Sequence, residues 1–145
     1  MSEPIVIHPS DVEDVVWPGG GRGKRMVTPA YPGSRNLQVG IIYVDPGKIA
    51  HRWHTHDRDR AEDYEIIYPE NFEEAYLIVK GKGTLCWRVA GEEKHLEVKE
   101  GDAIYFPVGV VENQVVNTGD ELLIIVYAVS PPVRVVKLKN DTTRK

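Results

Sequence analysis

Residues 73–91, EEAYLIVKGKGTLCWRVAG, contain two runs rich in β-branched and aromatic residues, separated by a Gly-Lys-Gly turn. Short runs of this composition, bounded by glycine, are typical of β-strands. No stretch of ten or more residues in the chain shows a convincing helical period. The only segment that hints at one is PSDVEDVVW (9–17), where a serine or aspartate cap precedes spaced valines.

The same pattern repeats along the chain at nearly regular spacing. Other runs of this kind are NLQVGIIYV (36–44), KHLEVKEG (94–101), AIYFPVG (103–109), NQVVN (113–117), ELLIIVYAV (121–129) and VRVVKLK (133–139). Turn-forming residues separate them, as in DPG (45–47), AGEE (90–93) and NTGDE (117–121). Many short strands with turns between them predict an all-β sandwich or barrel without internal repeats.

Composition limits the classes of function. The 145 residues fit one domain, and 41% hydrophobic with 28% charged residues are ordinary for a globular protein. A net charge of -4 argues against nucleic acid as a partner. Cys86 is the only cysteine, so an internal disulfide is excluded. The sequence shows neither a membrane-spanning run nor a signal peptide, which predicts a cytoplasmic protein with no membrane partner.

Residues 1–36 form an N-terminal arm in this interpretation. Its segment WPGGGRGKRMVTPAYPGSRN (17–36) is rich in glycine, proline and basic residues. It is either a loose arm or a basic flap over a pocket that takes an anionic ligand. At the other end, residues 133–145 are expected to form a C-terminal strand and a frayed tail.

The stretch AHRWHTHD (50–57) concentrates three of the five histidines. In a strand, residues two apart point to the same face, so His54 and His56 would lie side by side as a pair of metal ligands. Arg52 would share that face, and His51 would point to the other. The alternative is a loop with three exposed histidines.

Two motifs resemble those of the cupin superfamily. The first motif consists of a glycine, a His-x-His pair, and a glutamate that lies seven residues before a second glycine. In this sequence the matching residues are Gly47, His54, His56, Glu74 and Gly81. The second lies in GDAIYFPVGVVENQVVN and matches at Gly101, Pro107, Gly109 and Asn117. The resemblance implies a single cupin-type double-stranded β-helix, or jelly-roll barrel, over residues 37–132. It also implies one divalent metal inside the barrel and a homodimer.

The sequence departs from the first motif by an insert. Residues 57–73, DRDRAEDYEIIYPENFE, separate His56 from Glu74 where the family has a short gap. The insert is a lid, a wall of the pocket, a surface hairpin or a dimer contact. Glu62 and Glu65 within it are rival metal ligands.

The second motif lacks its usual histidine. Counting forward from Gly109 places Glu112 at that position, whereas counting back from Asn117 places Asn113 there. Strand alternation favours Asn113, with Glu112 as the alternative. An asparagine carbonyl is a weaker ligand than imidazole, which lowers affinity for a transition metal. The set His54, His56 and Glu74 would still suit Fe, Mn, Ni or Zn.

Three functions are compatible with the resemblance. The first is a metal-dependent enzyme of oxygenase, isomerase or lyase type that acts on a small polar or acidic molecule, with Arg52 and Tyr76 in contact with the substrate. The second is a non-catalytic cupin that binds a small molecule with weak metal binding or none; a purely structural role is a third. If no metal is held, His54, His56 and Glu74 are available for acid–base chemistry. Cys86 and Trp87 are interpreted as packing residues.

Overall fold

The computed structural model describes residues 2–60 and 63–138. This range forms twelve β-strands and one 3-10 turn at Pro9–Asp11, which confirms the predicted all-β class. The strands are β1 Asp14–Val16, β2 Arg22–Val27, β3 Gln38–Val44, β4 Arg58–Arg60, β5 Tyr64–Ile67, β6 Glu73–Lys80, β7 Lys82–Val89, β8 Glu92–Lys99, β9 Ala103–Phe106, β10 Asn113–Val116, β11 Leu123–Ser130 and β12 Arg134–Lys137. Within this range, no helix has the length and apolar character of a membrane span.

The strands form three antiparallel sheets. The largest has the order β1-β2-β3-β11-β6-β9, and the two smaller ones have the orders β10-β7-β8 and β12-β5-β4. Strands β7 and β8 are a hairpin whose turn residues Ala90 and Gly91 both have positive φ, at 50° and 80°. Two central residues of positive φ match the twist of a tight hairpin and fix its register.

The inner face of the large sheet consists of rows of paired residues, because partners on adjacent strands point to the same side. The first row includes the predicted metal ligand Glu74 and contains Gln38, Val129, Glu74 and Phe106. The next row contains Arg25, Gly40, Tyr127, Tyr76 and Ile104. Below these lies a third row of Ile42, Ile125 and Ile78, all buried. Polar groups therefore occupy one end of the interior, and aliphatic side chains fill the rest.

Gly40 makes room for an aromatic ring in the second row. A Cβ at this position would lie 2.4 Å from Cε2 of Tyr127 and 2.4 Å from the carbonyl oxygen of Lys24. Both distances are far below ordinary contact, so only glycine lets the Tyr127 ring lie flat across β3.

The N-terminal segment is not a loose arm over residues 14–27. Strand β2 pairs with β3 along most of its length, and β1 pairs with β2. The helical pattern expected near residues 9–17 is limited to the 3-10 turn at Pro9–Asp11, after which the chain becomes extended. Three of the five glycines in residues 17–36, Gly19, Gly21 and Gly23, permit close approach of neighbouring backbone: a Cβ on Gly23 would lie 1.8 Å from the Ile41 carbonyl oxygen.

The insert 57–73 becomes a wall of the barrel. Its strands β4 and β5 pair with each other, and β12 pairs with the other edge of β5. Ile66 and Phe72 are buried at 3% and 2% exposure, so the insert carries its own share of the core. Glu62 lies outside the described residues.

Candidate metal and ligand site in the barrel

His56 and Glu74 meet at the polar end of the interior. Nε2 of His56 lies 3.3 Å from Oε1 of Glu74, and their side chains are 2% and 12% exposed. The contact is close but not aligned as a hydrogen bond. Nδ1 of His56 is buried and has no hydrogen-bond partner in the described part of the chain.

Aromatic rings surround the His56 imidazole. Tyr68 stacks on it with ring centroids 5.2 Å apart, while Phe72 and Phe106 contact it edge-on at 5.0 and 5.7 Å. Tyr68 and Phe72 belong to the insert. The insert therefore fixes the orientation of His56 and keeps water away from one side of the ring.

His54 lies beside this pair but faces another neighbour. Its ring centroid is 5.2 Å from that of His56, and only 3.7 Å from that of His51. His51 and His54 lie together, against the alternation expected of a strand, because residues 50–57 are not a regular strand. The only bridge of this described stretch joins His54 to Asn113, and another isolated bridge, from Ile49 to Val116, lies just before it.

The hydrogen bonds of His54 fix its tautomer. Nδ1 lies 2.7 Å from the Arg52 carbonyl oxygen, which can only accept, so Nδ1 carries the proton and Nε2 has the free lone pair. Burial, and then the neighbouring His51 and His56, lower the pKa of His54 from its usual value to about 3. A neutral imidazole with a free Nε2 is the form that binds metals.

This shift predicts a pH dependence of stability. The folded pKa is about 3 and the usual value is 6.5, so the unfolded chain binds the extra proton first as pH falls. The stability contributed by neutral His54 is complete above about pH 6.5 and declines below it. In metal-free protein, urea unfolding should show a loss of about 2 kcal/mol between about pH 6.5 and about pH 5. His54→Gln should show a shallower decline; parallel slopes would contradict the assignment.

Arg52 is held by the insert rather than by the histidine pair. Its guanidinium donates to Oδ1 of Asp59 at 2.6 Å and to the carbonyl oxygen of Arg60. Burial alone would raise the pKa of Asp59, but contacts with His51 and Arg52 outweigh it and lower the pKa. Asp59 therefore stays ionised and positions both His51 and Arg52. Arg52 also lines a side cavity of about 350 Å³ with Trp17 and Tyr64.

Asn113 and Glu112 point in different directions. Asn113 is 3% exposed, and its side-chain amide donates to the carbonyl oxygen of Val111 at 3.0 Å. Glu112 instead pairs with Arg88 at 2.9 Å on the surface, where the guanidinium also covers the ring of Trp53. Asn113 is thus the inward residue at the position of the missing histidine.

Tyr76 is buried in the row beneath Glu74. Its ring packs against Phe106 with centroids 4.9 Å apart, and its hydroxyl makes no hydrogen bond to the described residues. Burial, and then the nearby Glu74 carboxylate, raise the pKa of Tyr76 well above its usual range; the same two causes raise that of Tyr68. Both phenols therefore keep their protons and can donate hydrogen bonds to a ligand.

An apolar cavity of about 340 Å³ opens beside the site. It is lined by Leu85, Trp87, Ile104, Phe106, Val110 and Asn113, among others. Phe106 lines this cavity and also contacts His56, so the cavity and the predicted metal site share this ring. Its volume is in the range of small-molecule pockets.

A second group of possible ligands lies on the outer face of the β10-β7-β8 sheet. The ligand atoms of Cys86, Glu93 and His95 all lie within 4.8 Å of one another. The sequence predicts Cys86 as a packing residue without a histidine partner, but the β7–β8 register places His95 directly opposite it. The tight Ala90–Gly91 turn was the signal in the sequence that would have revealed this pairing.

The fold resembles several solved structures at low sequence identity. A predicted oxalate decarboxylase from Thermotoga maritima matches with a TM-score of 0.62 and 18% identity over 87% of this chain and 98% of its own. The polyketide cyclase RemF from Streptomyces resistomycificus matches with a TM-score of 0.63 and 20% identity over 100% and 94%. A Cupin 2 conserved barrel domain protein from Salinispora arenicola matches with a TM-score of 0.57 and 20% identity over 90% and 88%.

The chain has the cupin fold. Comparison of the sequence with protein-family models gives no match, and comparison with curated proteins gives no significant one. The cupin barrel accounts for the positions of both motifs: Glu74 lies on β6, and Asn113 begins β10. Asp59, Tyr68 and Phe72, which the motifs do not include, come from the insert and complete the surroundings of the histidines.

Proposed function

We propose that the cupin barrel binds one divalent metal through His56, Glu74 and His54 and acts on a small polar or acidic molecule. The observation that carries the proposal is the 3.3 Å separation between Nε2 of His56 and Oε1 of Glu74. Two ligand atoms bound to one ion at about 2.0–2.2 Å each lie about 3.0–3.5 Å apart. The pair therefore has the spacing of two ligands to one metal.

The other side chains suit the same ion. His54 supplies a free Nε2 lone pair, and two imidazoles with one carboxylate are a known ligand set for Fe(II) and related metals. The His54 ring lies closer to His51, with ring centroids 3.7 Å apart, than to His56, at 5.2 Å. His56 and Glu74 are thus the preformed part of the site, and His54 joins them by turning its ring.

The surrounding residues define what the site does with a ligand. A divalent metal would supply a Lewis acid to polarise a substrate oxygen. The protonated Tyr76 and Tyr68 donate hydrogen bonds, and the aromatic wall from the insert excludes water. The cavity beside Phe106 accepts the apolar part of the molecule. The homodimer implied by the resemblance stays a prediction.

The metal content of the purified protein tests this proposal. The test is specific because the variants are expected to lose metal affinity by different amounts. Untagged protein carrying Cys86→Ser, which removes the thiol of the outer cluster, should retain about one equivalent of Fe, Mn, Ni or Zn. His56→Ala and Glu74→Gln should weaken binding by more than about 100-fold, because both are preformed ligands. His54→Ala should have a smaller effect of about tenfold, and Glu112→Gln should have none.

Two controls separate this site from other sources of metal. His95→Ala removes an exposed histidine of the outer cluster and should leave the barrel metal in place. Circular dichroism should confirm that the His56 and Glu74 variants remain folded. If the Cys86→Ser protein holds no metal under any loading condition, or if His56→Ala retains it fully, the barrel site is excluded.

The alternative is a cupin that binds a small molecule without a metal. It is favoured by Asn113, whose amide is tied to a backbone carbonyl where the family has a third imidazole. In that case, His56 and Glu74 form an acid–base or hydrogen-bonding pair for the ligand. Metal-free protein that still binds a small molecule, with affinity reduced by Glu74→Gln, would support this function.

A further inference from the structure

A separate cavity of about 580 Å³ lies between the N-terminal segment and the C-terminal strand β12. Its lining includes three arginines and no acidic side chain: Arg25, Arg35 and Arg134. The whole chain has a net charge of -4, so this positive charge is a local feature. Arginine clusters without carboxylates attract carboxylate and phosphate groups, which they bind in a bidentate manner.

Arg25 is the inner member of the cluster. It pairs with Gly40 across β2 and β3, which places it on the inner face of the sheet. Its guanidinium lies 5.8 Å from the ring centre of Trp17 and 5.6 Å from that of Tyr64. These rings hold the group in place before any ligand arrives.

One nitrogen of Arg25 lacks a partner. Nη2 is buried and forms no hydrogen bond with the described residues. A buried charged donor without an acceptor is costly, and native proteins rarely leave one unless a ligand or water completes it. The arrangement is that of a donor prepared for an acceptor from outside the chain.

The rest of the lining defines the ligand. Arg35 and Arg134 are exposed at the rim, whereas Pro29, Ala30, Pro132 and Val133 are apolar or nonionic. We propose that this cavity binds a small organic anion whose carboxylate or phosphate group is held by Arg25. Arg35 and Arg134 attract the ligand from solvent, and the proline and valine side chains pack against its apolar body.

The proposed anion site does not depend on a metal bound in the barrel, although it adjoins the barrel interior. Gln38 lines the cavity and belongs to the same cross-strand row as Glu74. A ligand held at Arg25 therefore lies on the side of the barrel that carries the carboxylate. The basic segment at residues 17–36 supplies two of the three arginines, which gives that segment a specific role.

Binding of phenyl phosphate, benzoate and neutral benzamide to metal-free protein tests the proposal by calorimetry. At least one of the two anions should bind saturably, at least about tenfold more tightly than benzamide, since charge-assisted hydrogen bonds supply most of the difference. The tighter anion identifies phosphate or carboxylate as the preferred group. Arg25→Gln should weaken its binding by about tenfold or more.

Arg22→Gln is the matched control. It lies on the same strand, makes the same change of charge, and sits at the surface beside Asp45. It should leave anion binding unchanged within about twofold, which is below the effect of one charged hydrogen bond. If Arg25→Gln fails to fold, the exposed pair Arg35→Gln and Arg134→Gln replaces it and should weaken binding by about tenfold. Three outcomes would overturn the proposal. Arg25→Gln and Arg22→Gln could lose anion binding equally, or the variant that removes Arg35 and Arg134 could bind as well as wild type. The third is that neither anion binds saturably at millimolar concentration.

Discussion

Asn117→Ala is expected to lower the free energy of unfolding by about 3–5 kcal/mol, because one buried amide satisfies three backbone groups. Its Nδ2 donates to the carbonyl oxygens of Val44 at 2.7 Å and Glu121 at 2.8 Å. Its Oδ1 accepts from the backbone N–H of Gly119 at 2.9 Å. Alanine removes all three hydrogen bonds at a position that is 1% exposed, and the bond to Val44 is fully buried.

Asn117→Asp sharpens the same prediction. The carboxylate has the shape of the amide but cannot donate while ionised, so it would face two carbonyl oxygens with a negative charge. We expect destabilisation at neutral pH at least as large as that of alanine, with partial recovery as pH falls and the acid gains a proton. Urea unfolding measures both, with Asn36→Ala, an exposed asparagine, as the control. A loss within about 1 kcal/mol for Asn117→Ala would contradict the assignment.

Phe72→Ala is expected to cost about 3–5 kcal/mol in the free energy of unfolding. The ring is 2% exposed and packs against both His56 and Tyr68, with centroids 5.0 and 4.9 Å away. Its removal leaves a cavity between the insert and the barrel, so both apolar burial and the fixed orientation of His56 are lost.

Benzene provides a test specific to that cavity. Benzene has the shape of the lost ring and can refill the space that it leaves, so benzene should raise the unfolding midpoint of Phe72→Ala and leave the wild type unchanged. Leu96→Ala, which removes a side chain that is 59% exposed, serves as a control and should change stability by less than about 1 kcal/mol. A Phe72→Ala protein as stable as this control would show that the insert does not pack on the barrel.

The all-β class was predictable because local chemistry decides it: short strand runs between turn residues are set by neighbours along the chain. The choice of a barrel rested on the resemblance of two motifs to those of cupins, including the spacing of Gly101, Pro107, Gly109 and Asn117. The choice of Asn113 over Glu112 as the inward residue also followed from strand alternation, and the structure shows Glu112 paired with Arg88 outside. These features need no knowledge of distant contacts.

The surroundings of the histidines could not be predicted in the same way. Strand alternation through residues 50–57 would put His51 on the opposite face, but the chain forms only one isolated bridge there, from His54 to Asn113. The partner of His51 and Arg52 is Asp59, which lies in an insert without a family pattern. Likewise, the glycines before Arg25 suggested a loose segment, whereas backbone pairing with β3 turns that arginine inward.

The pairing of β5 with β12 makes two distant parts of the gene depend on each other. Val135 pairs with Ile66 and Lys137 with Tyr64, so the last described strand covers an edge that the insert would otherwise leave open. An open edge invites pairing with other chains, which selection acts against. In a relative without the insert, β12 would lack the strand with which it pairs here. In a relative without β12, the edge of β5 would be left unpaired. We therefore expect the two segments to be present or absent together among descendants of a common ancestor.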